Sequence, residues 1–314
     1  MDQAEKLREL VTAKRQSEPD SGKNGDDNQD PRGNENKIHH SGSSTKVIAI
    51  TSGKGGVGKS NFTVNLAIEL SKLGNRVMIF DADLGLANVD IIFGINPRYN
   101  LTHVIREERS IKDIITETEY GVKLIASGSG VKELANLSNV QREKFITQLA
   151  EVEDMVDILL IDTGAGISKN TLSFIYASDY GIVITTPEPT ALMDAYGLIK
   201  VVSLSKEAVP LKLIVNMANS KEEAKEIASR VILLSRRFLN TFVESYGFIF
   251  RDKAVLNSVM SQKPFSVLHP DSRAANCVKE IAERISDRFV KERGGDKKGN
   301  NITEAFKKVF DIFR

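Results

Sequence analysis

Lys59 and Ser60 close an octet, Gly53-Lys54-Gly55-Gly56-Val57-Gly58-Lys59-Ser60, that matches the phosphate-cradling pattern G-x-x-x-x-G-K-[ST]. Glycines 55, 56 and 58 let the backbone wrap closely round a phosphate with its N–H groups pointing inward. Lys59 supplies a point charge for the β- and γ-phosphates, and the Ser60 hydroxyl is a ligand for Mg²⁺. The expected nucleotide contacts run unbroken from Gly53 to Asn61. The general pattern does not demand Lys54. That residue puts a second cation near the phosphates on the outer side of the loop, able to serve its own site or that of a facing subunit.

Carboxylates recur at the ends of apolar runs. Asp81 and Asp83 follow one such run two residues apart, so in β phase they point the same way. They can hold the water on Mg²⁺ and align an attacking water; a helix cap plus a surface acid is the plainer reading. Asp162 terminates Leu159-Leu160-Ile161, the usual place for a second-shell magnesium anchor. Glycines 164 and 166 then allow a loop that moves with a γ-phosphate. Asn216 ends a later apolar run and offers a paired donor and acceptor to an adenine edge, with a capping role as the alternative.

These residues need a strand before each loop and a helix after it. Lys46–Thr51 is a β-branched run, and Phe62, Leu66, Leu70 and Leu73 give the stretch from Asn61 to Leu73 helical spacing. Strand, glycine loop and helix in that order set the phosphates at a helix N-terminus, where the macrodipole favours anions. Further strands are expected at 76–80, 122–125, 157–161, 181–185, 211–216 and 246–250. Helices are expected between most of them, including 190–203 and 221–241. Alternation of this kind predicts an α/β fold: a single doubly wound, mostly parallel P-loop NTPase sheet with helices on both faces. Ligands in such sheets bind at the carboxyl ends of the strands, where the motifs fall.

With 314 residues and 41% hydrophobic content the chain can bury one sizeable core plus tails. A net charge of +1 gives no global bias toward nucleic acid, and no sequence-specific nucleic-acid binding is expected. Cys277 is the sole cysteine, which excludes an internal disulfide and a multi-cysteine metal or iron–sulfur site within one chain. No run of eighteen apolar residues exists and the N-terminus is polar, so neither a spanning helix nor a signal peptide is expected, and the compartment is read as cytosolic. Residues 1–15 are expected to form a charged, helical segment with Ala4, Leu7, Leu10 and Val11 on one face. Residues 16–45 read as a flexible linker, in which His39-His40 is a solvent-exposed pair. The catalytic domain is assigned to 46–290 and a polar hinge to 291–300. In 301–314 an apolar stripe (Ile302, Ala305, Phe306, Val309, Phe310, Phe313) keeps complete helical spacing.

Taken together, Gly53–Ser60, Asp81-Ala-Asp-Leu-Gly-Leu-Ala-Asn-Val-Asp90 and Ile161-Asp-Thr-Gly-Ala-Gly-Ile167 resemble the deviant-Walker-A ATPases of the MinD/ParA family, over residues 46 to about 290. The resemblance implies Mg²⁺-dependent hydrolysis of ATP to ADP and an ATP-dependent sandwich homodimer in which Lys54 reaches the partner's phosphates. It further implies Lys59 and Ser60 on phosphate and Mg²⁺, Asp81 and Asp83 in a first switch with Asp83 positioning the hydrolytic water, and Asp162 in a second. Two departures stand out: Thr163-Gly164 replaces the Ser-Pro usual in division-site members, and Phe250-Arg251-Asp252 lacks a proline common on the adenine side.

The two ends select a branch. Asp2-Gln3-Ala4-Glu5-Lys6-Leu7-Arg8 resembles the D-Q-A-x-x-L-R motif of the FlhG (YlxH) subfamily, MinD-like regulators of flagellar number and placement. There the segment docks on the signal-recognition-type GTPase FlhF and stimulates its GTP hydrolysis. Asp2, Gln3, Ala4, Leu7 and Arg8 are the expected partner-binding residues, with Gln3 and Arg8 as donors to the partner's catalytic site. The C-terminal stretch resembles a MinD membrane-targeting sequence, so Ile302, Phe306, Val309, Phe310 and Phe313 are expected to enter an anionic inner membrane; a helix packed on the core is the plainer alternative. Its polar face mixes Lys307, Lys308 and Arg314 with Glu304 and Asp311, leaving attraction to lipid mainly apolar. The expected protein is an ATPase that cycles between soluble monomer and dimer bound to the inner face of the cell membrane and sets flagellar number or position. A flagellar basal-body protein or a transcription factor is a further expected contact. The alternative is an ATPase that positions the division site or another cargo. An iron–sulfur carrier lacks its cysteines, and a DNA-segregation role sits poorly with the tail and the neutral charge.

Overall fold

The computed structural model describes residues 45–83, 88–128, 130–293 and 301–313. The expected activator segment with Asp2, Gln3, Ala4, Leu7 and Arg8, the linker up to residue 44 and most of the hinge lie outside the described residues. The elements in chain order are β1 (Lys46–Thr51), α1 (Lys59–Lys72), β2 (Val77–Ala82), α2 (Val89–Phe93), α3 (Leu101–Ile105), β3 (Ile115–Glu117) and β4 (Val122–Ile125). Then follow α4 (Gly130–Leu134), α5 (Asn139–Glu153), β5 (Ile158–Thr163), α6 (Lys169–Ala177), β6 (Tyr180–Thr185) and α7 (Pro189–Ser203). The last third holds β7 (Leu211–Ala218), α8 (Lys221–Leu239), β8 (Val243–Phe250), α9 (Lys253–Met260), α10 (Phe265–Leu268), α11 (Arg273–Arg293) and α12 (Ile302–Phe313).

The eight strands form one sheet in the order β3-β4-β2-β5-β1-β6-β7-β8, parallel throughout except for β3 against β4. Central strands need apolar side chains on both faces, and β1 supplies them. Ile48 and Ile50 join the layer of α1 and α11, while Val47 and Ala49 face the layer of α5 to α8. The seven expected strands are present. β3 was not legible, because three residues carry no period. β2 and β5 run past their apolar runs, so Asp81 and Asp162 pair in register at the carboxyl ends of adjacent strands. β7 likewise continues to Ala218 with register shifts against β8, leaving Asn216 within the strand.

The C-terminal helix belongs to this core. The described residues fall in one compact unit, Gly42–Arg314. The stripe Ile302, Phe306, Val309, Phe310 and Phe313 is 1–8% exposed, packed on α5 and α6. The Phe306 ring meets Phe80, Phe145 and Phe174 at 5.2, 5.7 and 6.2 Å. Polar contacts fix both ends: Thr303 N donates to Glu153 Oε1 (2.9 Å) and Lys169 Nζ to the Phe313 carbonyl (3.1 Å). In this conformation the residues expected to face lipid face protein. No described helix is long and apolar enough to cross a membrane.

Candidate functional site

The phosphate loop runs from β1 to α1, whose N-terminus carries no side-chain cap, so its first amides are free for a ligand. Gly58 sits at φ 89°, and a Cβ there would lie 2.4 Å from Asn216 Nδ2. That close approach is a hydrogen bond's doing: Asn216 Nδ2 donates to the Val57 carbonyl at 2.8 Å, and its Oδ1 accepts from Met217 N at 2.8 Å. Asn216 therefore fixes the loop from β7, with both ends of its amide engaged. Gly53 is required for a different reason, since a Cβ would fall 2.2 Å from the Asp194 main chain of α7.

Opposite charges converge just inside the loop. Lys59, only 7% exposed, holds its ammonium 3.0 Å from Asp162 Oδ1 and 3.6 Å from Asp83 Oδ2. The Ser60 hydroxyl donates to Asp162 Oδ2 at 2.6 Å, and Thr63 Oγ1 lies 3.0 Å from the other oxygen. Asp81 is buried beside them; one of its oxygens accepts from Asp83 N at 3.1 Å, while the other, Oδ2, has no partner. Desolvation and the neighbouring Asp162 charge push the Asp81 carboxyl up to about 7. An orphaned buried carboxylate oxygen, a second carboxylate and a hydroxyl make an all-oxygen donor set, which fits a hard cation. The described residues hold no cluster of three or more His, Cys, Asp or Glu side chains able to bind a metal alone. Ser60, Asp81 and Asp162 would hold Mg²⁺ together with phosphate oxygens, the usual arrangement for that ion.

The Lys54 side chain is exposed and turns to the start of α7. Its ammonium donates to Glu188 Oε2 (2.9 Å) and Thr190 Oγ1 (3.0 Å) at the start of α7, and the pair keeps the Glu188 carboxyl below its ordinary value. After Asp162 the chain leaves β5 at Thr163, whose hydroxyl donates to the Ile50 carbonyl of β1 at 3.1 Å, and Gly166 N donates to Ser52 O at 2.8 Å. Ser168 then caps α6, accepting from Thr171 N. The structure thus brings together Lys59, Ser60, Asp81, Asp83, Asp162 and Asn216, with the loop glycines, Val57 and Asn61, whereas Lys54 turns to Glu188 and Thr190. It adds Thr63, Glu188 and Thr190, which sequence reasoning missed. Thr63 has a signal in hindsight, one helical turn after Lys59 on the same face; Glu188 and Thr190 have none, being over 130 residues from Lys54. The membrane candidates of α12 lie apart from this cluster.

A chamber of about 700 Å³ opens from the loop, and Ile91, Phe250, Val255, Leu256, Val259 and Phe265 line it together with loop residues, Asp83 and Arg251. A cleft that combines apolar walls with charged groups suits a ligand with a flat base and a phosphate chain.

Comparison with known proteins agrees with this geometry. Residues 43–286 match the ParA family model, described as the NUBPL iron-transfer P-loop NTPase. The chain is 35% identical over 240 residues to the antiactivator FleN of Pseudomonas aeruginosa, covering 76% of this chain and 86% of that protein. It is 37% identical over 239 residues to the flagellum site-determining protein YlxH of Helicobacter pylori, covering 76% and 81%. The solved structure of septum site-determining MinD from Pyrococcus horikoshii, complexed with Mg-ADP, shares the fold with a TM-score of 0.63 at 23% identity, covering 78% of this chain and 97% of that one.

Proposed function

Since this chain belongs to the MinD/ParA family of P-loop ATPases, we propose that it is an ATP-hydrolysing switch on the FleN and YlxH branch, governing flagellar number or placement. The convergence of Lys59, Ser60, Asp83 and Asp162 behind the phosphate loop carries this reading. When phosphates enter, Lys59 exchanges carboxylate partners for phosphate oxygens and Ser60 turns from Asp162 toward the cation. Mg²⁺ held by Ser60, Asp81 and Asp162 would neutralise the charge that develops on the phosphoryl oxygens. Asp83 orients the attacking water. Lys54 leaves Glu188 and reaches the phosphates of a second copy, which makes dimerisation depend on ATP.

The output runs through α6. That helix starts directly after the loop that carries the second switch, and α12 lies against it. A loop drawn toward the γ-phosphate shifts α6 and frees α12, whose apolar face then enters an anionic membrane. Two helices in a dimer hold far better than one. Separately, residues 1–15 act on an FlhF-type GTPase, with Gln3 and Arg8 entering its site. Iron transfer is not proposed, since Cys277 is the chain's only cysteine and is buried.

A peptide of residues 1–15 tests the flagellar part. It should accelerate GTP hydrolysis by an FlhF-type GTPase from the same organism, and Gln3→Ala or Arg8→Ala should each blunt the effect. A peptide that neither binds nor stimulates leaves a MinD-like ATPase positioning some other cargo.

A further inference from the structure

The amino ends of β1, β6, β7 and β8, at the opposite edge of the sheet from the phosphate loop, enclose a buried cation. Lys212, the second residue of β7, is 2% exposed. Its ammonium lies against the rings of Tyr180 and Tyr246, 4.1 and 3.7 Å from their centroids. Ring faces attract a cation without neutralising it. Neither Lys212 Nζ nor the hydroxyl of Tyr246, a residue 1% exposed, has a hydrogen-bond partner among the described residues. A buried ammonium and a buried hydroxyl both destabilise the fold when they are left unpaired.

The neighbouring charges do not make up the deficit. α11 brings Arg284, Arg288 and Glu292 to this end at four-residue spacing, on one face of the helix. Glu292 is shared by Lys46 (2.9 Å) and Arg288 (3.0 Å), and Glu244 by Arg288 (3.4 Å) and Lys212 (3.9 Å). Two carboxylates thus serve three cations, and Lys212 has the longest of these contacts. Arg284 adds a further cation beside the same ring, its Nη1 donating to the Tyr246 carbonyl at 2.6 Å. We propose that Lys212 and Tyr246 form a binding site for a small monovalent anion, which accepts from the ammonium and from the phenol hydroxyl. That hydroxyl stands at the edge of the ring whose face meets the ammonium, so one acceptor atom can serve both donors. The near-complete burial of both side chains selects a monatomic ion such as chloride over a phosphate or a carboxylate. Because Glu292 belongs to the last turn of α11, the bound ion also steadies the end of that helix. None of this rests on the nucleotide-binding reading above.

Urea unfolding of the full-length protein, with chloride replacing gluconate at constant ionic strength, tests the site. The wild-type midpoint should rise saturably with chloride, and bromide should act in the same way. Lys212→Met should abolish the dependence. Tyr246→Phe, which deletes a single oxygen, should weaken the apparent affinity about tenfold, and it carries the test if Lys212→Met does not fold. Amide exchange in the last turn of α11 should slow when chloride is added to wild type and not when it is added to Lys212→Met. In crystals grown with bromide, anomalous scattering should give a peak in contact with Lys212 Nζ and the Tyr246 hydroxyl. A water in that place without bromide, or a chloride dependence that survives Lys212→Met, overturns the site. Equal chloride affinity in wild type and Tyr246→Phe overturns the part given to the hydroxyl.

Discussion

Lys59 is the residue on which the site turns, because its ammonium pairs with Asp162 and Asp83 and would answer the phosphates in their place. Lys59→Ala removes that cation and leaves the buried Asp162 uncompensated, so ATP binding should vanish from calorimetric titrations. Asp83→Ala should bind ATP with near wild-type affinity while turnover falls about a hundredfold or more, the usual scale for a lost water-positioning group. Turnover of wild-type size in that variant would remove Asp83 from the role. Asn216→Ala leaves the Val57 carbonyl without its partner and frees the loop, which should weaken ATP binding by about 1–3 kcal/mol. The glycine and lysine spacing made this site legible in the sequence, and so did the carboxylates that end β2 and β5. The partner of Lys54 was not legible, since Glu188 meets it only through the fold. Nor was the commitment of Asn216 to the loop, since a side-chain amide at a strand end suits a base edge equally well.

At the scale of elements, the same stripe on α12 would fit a bilayer or a protein groove, and spacing alone does not separate them. The structure puts it in the groove, with Phe306 among three aromatic rings. Phe306→Ala should cost about 3–5 kcal/mol of the docked state. The loss should appear as earlier hydrogen exchange in α12 and in the facing turns of α5 and α6. Exchange unchanged there would mean that the ring contacts contribute little. A second element-scale expectation concerns β7. Lys212 is buried under Tyr180 and Tyr246, ring centroids 4.1 and 3.7 Å from its ammonium, and burial lowers its pKa to about 8. The unfolded chain then binds more protons than the folded one between about pH 8 and 10.5. This group's contribution to stability should therefore rise with pH across that window, by an amount on the order of 2 kcal/mol. Denaturant midpoints from pH 7 to 10 should show the slope, and Lys212→Met should flatten it.

Across the whole molecule, a doubly wound sheet with its motifs at the carboxyl ends of the strands was legible from the alternation of runs and helices. The family comparisons agree with it. The proposed coupling joins two distant parts of this fold, the phosphate loop and α12, through the loop after β5 and α6. ATP should release the helix by promoting a dimer, and Lys54 should be needed for that step but not for binding ATP. Lys54→Ala should therefore retain ATP in calorimetry and stay monomeric in sizing chromatography with a non-hydrolysable analogue. Sedimentation of the full-length protein with anionic liposomes, in ADP and in that analogue, tests the whole chain of coupling at once. Wild type should pellet with the analogue and remain largely in solution with ADP, whereas Lys54→Ala and a double Phe306→Glu, Phe310→Glu variant should stay in solution with both. Equal pelleting of wild type with the two nucleotides would contradict the account.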